Sequence, residues 1–333
     1  MIPILVAALA ALAASSCSER PAATAAAPTA PSPTETSAAG RPPVFVVAFT
    51  HIEDNTPAGV LGAAATRAAY ANVRSALVDL AQRTSRNGVP WSLQPDWKLL
   101  EAALLYEDAA MTANTGGVTL LRYLRDTLGA RIDPHSHENG GYNYPDVAYL
   151  LDRLGVGGST VIGGHIWDPA LPQFQGWDRF RAPVAGLHYP SAAWRGDILM
   201  GSGTPNHVND PVVSGVWRPR DRSRYFEDDP SGNITAIGAF RNGLAGIAEL
   251  VALNASGRVP PSCLLTASIH LPPRDFLAAG GGALENTIIA PLAAERARGT
   301  IELTDFTTLV STWRQRFGAR ACVFDGQRLT IVP

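Results

Sequence analysis

The sequence predicts an α/β protein, a distorted (β/α) barrel with mostly parallel strands and long loops over its C-terminal face. Three observations predict this class. Residues 44–49 form a continuous apolar, β-rich run, typical of a strand buried on both faces. Short runs of this kind alternate with helical patterns, as in parallel βα units. With 333 residues, of which 46% are hydrophobic and 17% charged, the chain can bury a large core.

The elements predicted before residue 165 begin with this strand and alternate in type. The first helix has apolar residues at helical spacing, among them Leu61, Ala65 and Val73. Gly88 ends that unit, since glycine favours the turn that closes a helix. The predicted strands are 44–49, 91–94, 131–133 and 159–162, and the predicted helices are 58–83, 97–110, 117–128 and 145–154.

The middle of the domain, residues 167–232, is rich in Pro, Gly, Trp and Arg and poorly periodic, so we expect long loops over one face. Its aromatic side chains either offer platforms for sugar rings or fill the core. They include Trp167, Trp177, Trp194, Trp217, Tyr189 and Tyr225, with Tyr142 and Tyr144 just before. The later predicted strands are 197–200, 264–270 and 301–303, and the later helices are 242–253, 284–298 and 305–317.

The N-terminal region predicts export and a membrane tether. Residues 2–14 form an apolar run too short to span a bilayer, and Ala14-Ser-Ser-Cys17 resembles the lipobox of bacterial lipoproteins. An ordinary cleaved signal is the alternative. Residues 18–43 are mostly Ala, Pro, Ser and Thr, a composition typical of a disordered tether. We therefore expect a signal segment at 1–17, a tether at 18–43 and one domain at 44–333, in a periplasmic or outer-membrane-anchored lipoprotein.

Charge and cysteine content bear on partners and redox state. The formal net charge is −2 and Lys98 is the one lysine, whereas nucleic-acid binding needs clustered Lys and Arg. We expect no nucleic-acid partner, a monomer, and membrane contact only through a lipid on Cys17. Cys263 and Cys322 then remain either for a disulfide or as two buried thiols.

Candidate ligands and acid–base residues lie directly after predicted strands. They are His51, Glu53 and Asp54 after the first strand, His135 and His137 after another, and His165 and His270 after two more. Each histidine alone could be structural. Because strand C-terminal ends share one rim in such folds, their common placement favours one site. Imidazoles with a carboxylate suit a divalent metal, and we expect Zn²⁺.

Four segments resemble the motifs of the polysaccharide deacetylase superfamily. Ala48-Phe-Thr-His-Ile-Glu-Asp54 resembles its first motif, a strand ending in two acids, and Arg131-Ile-Asp-Pro-His-Ser-His-Glu-Asn139 resembles its second. Phe180-Arg-Ala-Pro183 is similar to the third, an Arg-x-Pro, and Ser268-Ile-His-Leu271 to the last, a strand-terminal His. The resemblance spans roughly residues 44–318 and implies a metal-dependent hydrolytic site in a distorted barrel.

The resemblance also implies roles for these residues. Asp54, His135 and His137 would hold the ion, and His51 with Glu53 could form a further ligand pair. Glu53 would be the base and His270 the proton donor, while Arg181 would orient Glu53 or Asp54. Two departures from the family pattern stand out: Glu53 replaces the expected Asp, and Asn139 occupies the position of the second ligand His.

The function that follows is a metal-dependent, deacetylase-like hydrolase acting on an acylated carbohydrate at the cell envelope. Two alternatives stay open. One is a non-catalytic carbohydrate-binding barrel lipoprotein, and the other is a glycoside hydrolase of the same wider superfamily, working through paired carboxylates.

Overall fold

The structure, a computed structural model, describes residues 40–168, 170, 174–201 and 209–331. The predicted signal segment and lipobox, and residues 18–39 of the predicted tether, lie outside the described residues. The described strands are β1 (Val44–Ile52), β2 (Trp91–Pro95), β3 (Arg131–Ile132), β4 (Val161–Ile162), β5 (Val184–Ala185), β6 (Ala193–Trp194), β7 (Ile198–Met200), β8 (Ser214–Trp217), β9 (Thr235–Ile237), β10 (Thr266–His270), β11 (Ile301–Thr304), β12 (Cys322–Phe324) and β13 (Leu329–Ile331).

The helices surround these strands. The α-helices in the described ranges are α1 (Ala64–Arg86), α2 (Trp97–Tyr106), α3 (Ala109–Thr112), α4 (Leu120–Arg122), α5 (Tyr144–Arg153), α6 (Leu244–Ala255), α7 (Gly282–Leu284), α8 (Ala290–Ala297) and α9 (Phe306–Arg316). Shorter 3₁₀ turns lie at Ala113–Thr115, Phe174–Arg181 and Pro273–Asp275, and π turns at Tyr123–Thr127 and Glu285–Ile289.

The first sheet is parallel throughout and has β1 at its centre. Along one edge β1 pairs with β10; along the other it pairs with β11 over its first half and with β2 over its second half, and β2 pairs with β3. All nine residues of β1 are buried, because both of its faces are covered. Val44, Val46 and Ala48 pack in the cluster that includes α1 and α2 residues, whereas Phe45 and Val47 pack in the cluster that includes β7 and β9 residues. This confirms the predicted α/β class and its first strand.

The second sheet is mixed, in the order β13-β12-β8-β9-β7-β4. Strands β4, β7 and β9 run parallel, while β8, β12 and β13 add antiparallel pairs at one side. The strand predicted at 197–200 is confirmed as β7. The sequence does not predict β8, β9, β12 and β13. Each is three or four residues long and therefore too short to show an alternation of apolar and polar residues.

The second sheet approaches the first sheet near both edge strands of the first, β3 and β10. His135 and Gly163 form a single parallel bridge between the chain after β3 and the chain after β4. At the other end, the backbone N–H of Ser268 in β10 donates to the carbonyl of Ala239, just after β9, at 3.0 Å. Continuous strand pairing does not close the ring among the described residues, because the bridge is one residue pair rather than a ladder. The closed barrel stays a prediction.

Several predicted helices are present with different bounds. The helix predicted at 58–83 begins only at Ala64, because Gly59 and Gly62 adopt positive φ angles of 96° and 93°, which break a right-handed helix. The helix predicted at 117–128 is α4 followed by a π turn, and the one predicted at 284–298 is α7, a π turn and α8. The predictions at 242–253 and 305–317 correspond closely to α6 and α9.

Two questions that the sequence left open are decided by the structure. Cys263 and Cys322 form a disulfide with a Cα–Cα distance of 5.5 Å, which ties the chain before β10 to β12. Most of the aromatic residues of the middle region are core residues rather than exposed platforms: Trp167, Trp177, Trp217 and Tyr225 are buried in one cluster. No helix in the described ranges is both long and apolar enough to cross a bilayer.

Candidate metal centre

The C-terminal end of β1 supplies the first two side chains of the site. Side chains alternate along a strand, so His51 follows Phe49 on the face that packs against the second sheet, and Glu53 continues that alternation just beyond the strand. The ring centroids of Phe49 and His51 lie 5.0 Å apart. His51 is buried and Glu53 is half-buried, which places the carboxylate toward the rim.

His135 comes from the other side of the site, at the bridge between the two sheets. Its side chain is 0% exposed, its ring centroid lies 4.3 Å from that of His51, and its Nε2 lies 3.8 Å from Oε2 of Glu53. Gly164 makes room for this ring, because a Cβ there would stand 2.4 Å from Nε2 of His135. The backbone of the histidine is held by its bridge to Gly163.

His51, Glu53 and His135 form a group that could hold a metal ion. One ligand atom from each lies within 4.8 Å of the others. Both ring nitrogens of His135 are buried without a hydrogen-bond partner among the described residues, which is costly unless something binds them. Two imidazoles and one carboxylate match the donor set of divalent ions such as Zn²⁺. The residues present therefore fit a metal.

His137 adjoins this group on its exposed side. Its Nε2 lies 3.1 Å from Oε2 of Glu53, and its ring meets that of His135 edge-on at 4.8 Å. Burial by itself would lower the pKa of His137, but the hydrogen bond to Glu53 and the negative charges of Glu53, Asp96 and Asp54 raise it above its usual value. The positive charge on His137 is stabilised by these carboxylates.

The charge of Glu53 is set by the same neighbours. Burial would raise the pKa of its carboxyl, but the hydrogen bond from His137 and the electrostatic effects of His135, His137 and His270 outweigh burial and lower the pKa to about 2. Glu53 is therefore a carboxylate at neutral pH, which is the form that binds a cation.

His270 stands at the end of β10, where the sequence predicts it. Its ring stacks on Phe49 at 5.1 Å and lies 5.5 Å from that of His51. The backbone N–H of His51 points at Nε2 of His270, 3.5 Å away, and the backbone N–H of His270 donates to Oδ1 of Asn242 at 2.8 Å. His270 is part-exposed and adjoins the group.

Besides His137 and His270, two further predicted site residues lie outside this group. Asp54 is part-exposed and raises the pKa of His137 through its charge, but it does not belong to the group of close ligand atoms. Arg181 donates to the carbonyls of Pro219 and Arg220 at 2.7 and 3.0 Å, and its guanidinium lies over the Trp177 ring. Those contacts give no support to its predicted role beside Glu53 or Asp54.

A pocket opens beside His137 and brings in residues that the sequence analysis did not name. Arg179 lines it, and Nη2 of Arg179 donates to Oε1 of Glu138 at 2.7 Å. The predicted strand-end histidine His165 lines the same pocket. The remaining lining residues are Ser136, His137, Glu138, Tyr144, Gly164 and Ile166. Arg179 lies two residues before Arg181, the arginine of the predicted third motif, so the arginine that lines the pocket is not the one that was predicted.

Asp96 is a further residue that the sequence analysis missed. It follows β2 as Glu53 follows β1, so the strand-end argument applied to it equally. Its Oδ2 lies 3.6 Å from Nδ1 of His135. Asn139, the residue at the position of the family's second ligand His, is exposed.

Comparison with known proteins adds little to this geometry. No family model matches the chain, and no curated protein matches it. Among solved structures, the chain is similar to the crystal structure of a 4-alpha-glucanotransferase from Thermococcus litoralis, with 12% identity and a TM-score of 0.40 over 81% of this chain and 40% of that one. The chain thus spans less than half the length of that protein, and a similarity of this size supports no conclusion about activity. The fold and the site by themselves define an α/β protein with a His/Glu group able to bind a metal.

Proposed function

We propose that this protein is a metal-dependent hydrolase that releases acyl groups from a carbohydrate. The observation that carries the proposal is the convergence of His51, Glu53 and His135 at the end of parallel strands, beside a pocket. The buried ring nitrogens of His135 are costly to leave without a partner, and Glu53 beside them is a carboxylate at neutral pH, the form that binds a cation. The acylated carbohydrate as substrate comes from the motif resemblance.

The proposed ligands are His51, Glu53 and His135, and the ion would be Zn²⁺ or a similar divalent metal. When bound, such an ion supplies Lewis-acid polarisation of an acyl carbonyl and activation of water near neutral pH. Of the two roles expected for Glu53 from the sequence, base and ligand, the proposal takes the ligand, because its Oε2 faces Nε2 of His135. Asp54 is left out of this ligand set, since the group of close ligand atoms does not include it.

The remaining histidines have separate proposed roles. His137 and His270 are both part-exposed, and both interact electrostatically with Glu53. Imidazole titrates near neutral pH, so a histidine can donate a proton to the leaving group. We assign proton donation to the leaving group to His270, which stands at the end of β10, whereas His137, whose raised pKa favours its protonated form, supplies positive charge beside the pocket.

The proposal places the protein at the cell envelope as a lipoprotein anchored through Cys17, with a glycan as its substrate. It rests on the lipobox-like segment and on the composition of the tether, of which residues 18–39 lie outside the described residues. The closed (β/α) barrel belongs to the same proposal, since a shared rim would gather the strand ends.

The proposal is tested by metal content together with product identity. We expect the purified chain, dialysed against Zn²⁺, to retain about one equivalent by elemental analysis and to release acetate from acetylated oligosaccharides. Glu53→Gln should lose the metal and at least ~100-fold of the activity, because a lost ligand should cost more than the ~10–100-fold typical of a lost outer-shell partner. Glu227→Gln, at an exposed glutamate, is the matched control and should change neither.

Three outcomes would contradict the proposal. A wild-type chain that retains no stoichiometric divalent ion would remove its basis. Equal acetate release by wild type and Glu53→Gln would remove the site. Release of reducing ends instead of acetate would assign the protein to the glycoside hydrolases.

A further inference from the structure

Asp96 lies at the junction of β2 and α2, next to the candidate metal centre. Its backbone N–H donates to the carbonyl of Ile52 at the end of β1, at 2.8 Å. Its Oδ1 caps α2 by accepting from the backbone N–H of Trp97 at 2.6 Å. The side chain is 1% exposed, so both carboxylate oxygens are held inside the protein.

The second oxygen of Asp96 has no such partner. Oδ2 is buried without a hydrogen-bond partner among the described residues. Nδ1 of His135 is also buried and also has no hydrogen-bond partner there. The two atoms lie 3.6 Å apart, so a small rotation of either side chain joins them. A buried carboxylate oxygen with no donor is costly, and the nearby ring nitrogen is a group that can carry one.

The two nitrogens of His135 face different partners. Nδ1 faces Asp96, and Nε2 faces Glu53, at 3.8 Å. A neutral imidazole carries one proton, and the hydrogen bond made by one nitrogen decides which nitrogen keeps its lone pair. A carboxylate at Nδ1 favours the proton there and leaves the lone pair of Nε2 directed toward the side of Glu53 and His51.

We infer that Asp96 is a positioning residue: its Oδ2 accepts a hydrogen bond from Nδ1–H of His135 and so fixes the tautomer in which Nε2 can bind a metal. The inference rests on the proposed function for the metal, but not for the carbohydrate. Each carboxylate oxygen of Asp96 then has one role: Oδ1 caps α2, and Oδ2 orients His135.

Asp96→Asn separates these two tasks. Asparagine caps helices as well as aspartate does, so its Oδ1 keeps the bond to Trp97. Its NH₂ group replaces Oδ2 and donates instead of accepting, which favours the opposite tautomer of His135. We expect Zn²⁺ affinity, measured by competition with a chromophoric chelator, to fall ~10–100-fold, as outer-shell partners of metal ligands usually give. The melting temperature of the metal-free variant should stay close to that of the wild type.

Asp305→Asn is the matched control. Asp305 caps α9 through Oδ1, which accepts from the backbone N–H of Thr308 at 2.8 Å, and its other oxygen accepts from Arg131. The same chemical change at a cap outside the metal centre should leave Zn²⁺ affinity unchanged. A loss of affinity in both variants would overturn the inference, because it would trace the effect to a general loss of structure.

A second readout needs no metal. In ¹⁵N NMR of the metal-free chain with labelled histidine, the His135 ring should carry its proton on Nδ1 in the wild type and on Nε2 in Asp96→Asn. An unchanged tautomer in the variant would overturn the inference even if Zn²⁺ binds normally. Conversely, a tautomer switch in a chain that binds no Zn²⁺ would leave the Asp96–His135 contact standing and would contradict the proposed function instead.

Discussion

At the scale of single residues, the candidate centre depends on side-chain direction and on space. His51 and Glu53 point to the same side because they are two positions apart, whereas Asp54 is one position further on. The sequence held this information, but the resemblance to a motif with two adjacent acids favoured Asp54. Alternation along β1 was the better guide to the group that forms.

Gly164 gives a residue-scale prediction. It has a φ angle of +72°, and a Cβ there would stand 2.4 Å from Nε2 and Cδ2 of His135, so Gly164→Ala should displace the imidazole. We expect loss of Zn²⁺ binding and a larger fall in the free energy of unfolding than the positive φ alone would give. Urea denaturation and metal titration measure the two effects.

Gly129→Ala is the control for backbone strain. Its φ angle of +77° is nearly the same, but no atom lies within 4 Å of the position of a new Cβ. This variant should lose only about 1–2 kcal/mol, the cost of a left-handed alanine, and should bind Zn²⁺ as the wild type does. Equal behaviour of the two variants would show that the ring of His135 does not need the space at Gly164.

At the scale of elements, one ion cluster joins the end of α1 to the π turn that precedes α8. Glu285 accepts hydrogen bonds from Arg83 at 2.5 Å and from Arg86 at 2.6 and 2.9 Å. Asn87 adds a bond at 3.0 Å. The hydrogen bond from Arg86 is the main cause that lowers the pKa of Glu285 to about 2, against an opposing effect of desolvation.

This cluster predicts a pH dependence of stability. Because the pKa of Glu285 is lower in the folded state than in the unfolded state, its contribution is present above the unfolded pKa of about 4.5 and is lost as the pH falls toward 2. The difference in melting temperature between wild type and Glu285→Gln should be largest near neutral pH and shrink between pH 4.5 and pH 3.

Thermal melts at several pH values measure this difference. Glu249→Gln removes an exposed glutamate that pairs with the single arginine Arg241 at 3.0 Å, and its effect should be smaller at every pH. A Glu285→Gln difference that stays constant with pH would contradict the assignment.

At the scale of the whole molecule, the centre lies at the seam of two sheets. His51 belongs to the parallel sheet, and His135 forms the bridge with Gly163 that reaches the second sheet. The Cys263–Cys322 disulfide links the same two sheets, because it ties the segment before β10 to β12. Between the described strands of the two sheets, apolar packing of residues such as Phe45 and Val47 takes the place of a continuous ladder of strand pairing.

The disulfide gives a whole-molecule prediction. It closes a loop with a sequence separation of 59, and removing a native disulfide typically costs about 2–5 kcal/mol. The double variant Cys263→Ala/Cys322→Ala should unfold at lower urea concentration by an amount in this range. Reductant should lower the stability of the wild type and leave the double variant unchanged. A wild type insensitive to reductant under unfolding conditions would contradict a bond between these cysteines.

Much of the fold could be predicted from the sequence because long elements carry their own patterns. The apolar run of β1 and the periodicity of α6 and α9 need no tertiary information, and each is present near its predicted position. Strands of three or four residues such as β8 and β12 could not be predicted, because so few residues show no alternation. They form because neighbouring strands supply the hydrogen bonds.

The sequence by itself determined that polar side chains of types able to bind a metal follow the predicted strands, since a strand buried on both faces is mostly apolar until it ends. His51, Glu53, His135 and His270 were predictable on that ground. Only the tertiary structure decided which side chains meet: Asp96 reaches His135, Arg179 rather than Arg181 lines the pocket, and Cys263 pairs with Cys322. The physical reason is that strand order and backbone direction bring these residues together. The local sequence pattern of a segment predicts neither the strand order nor the backbone direction.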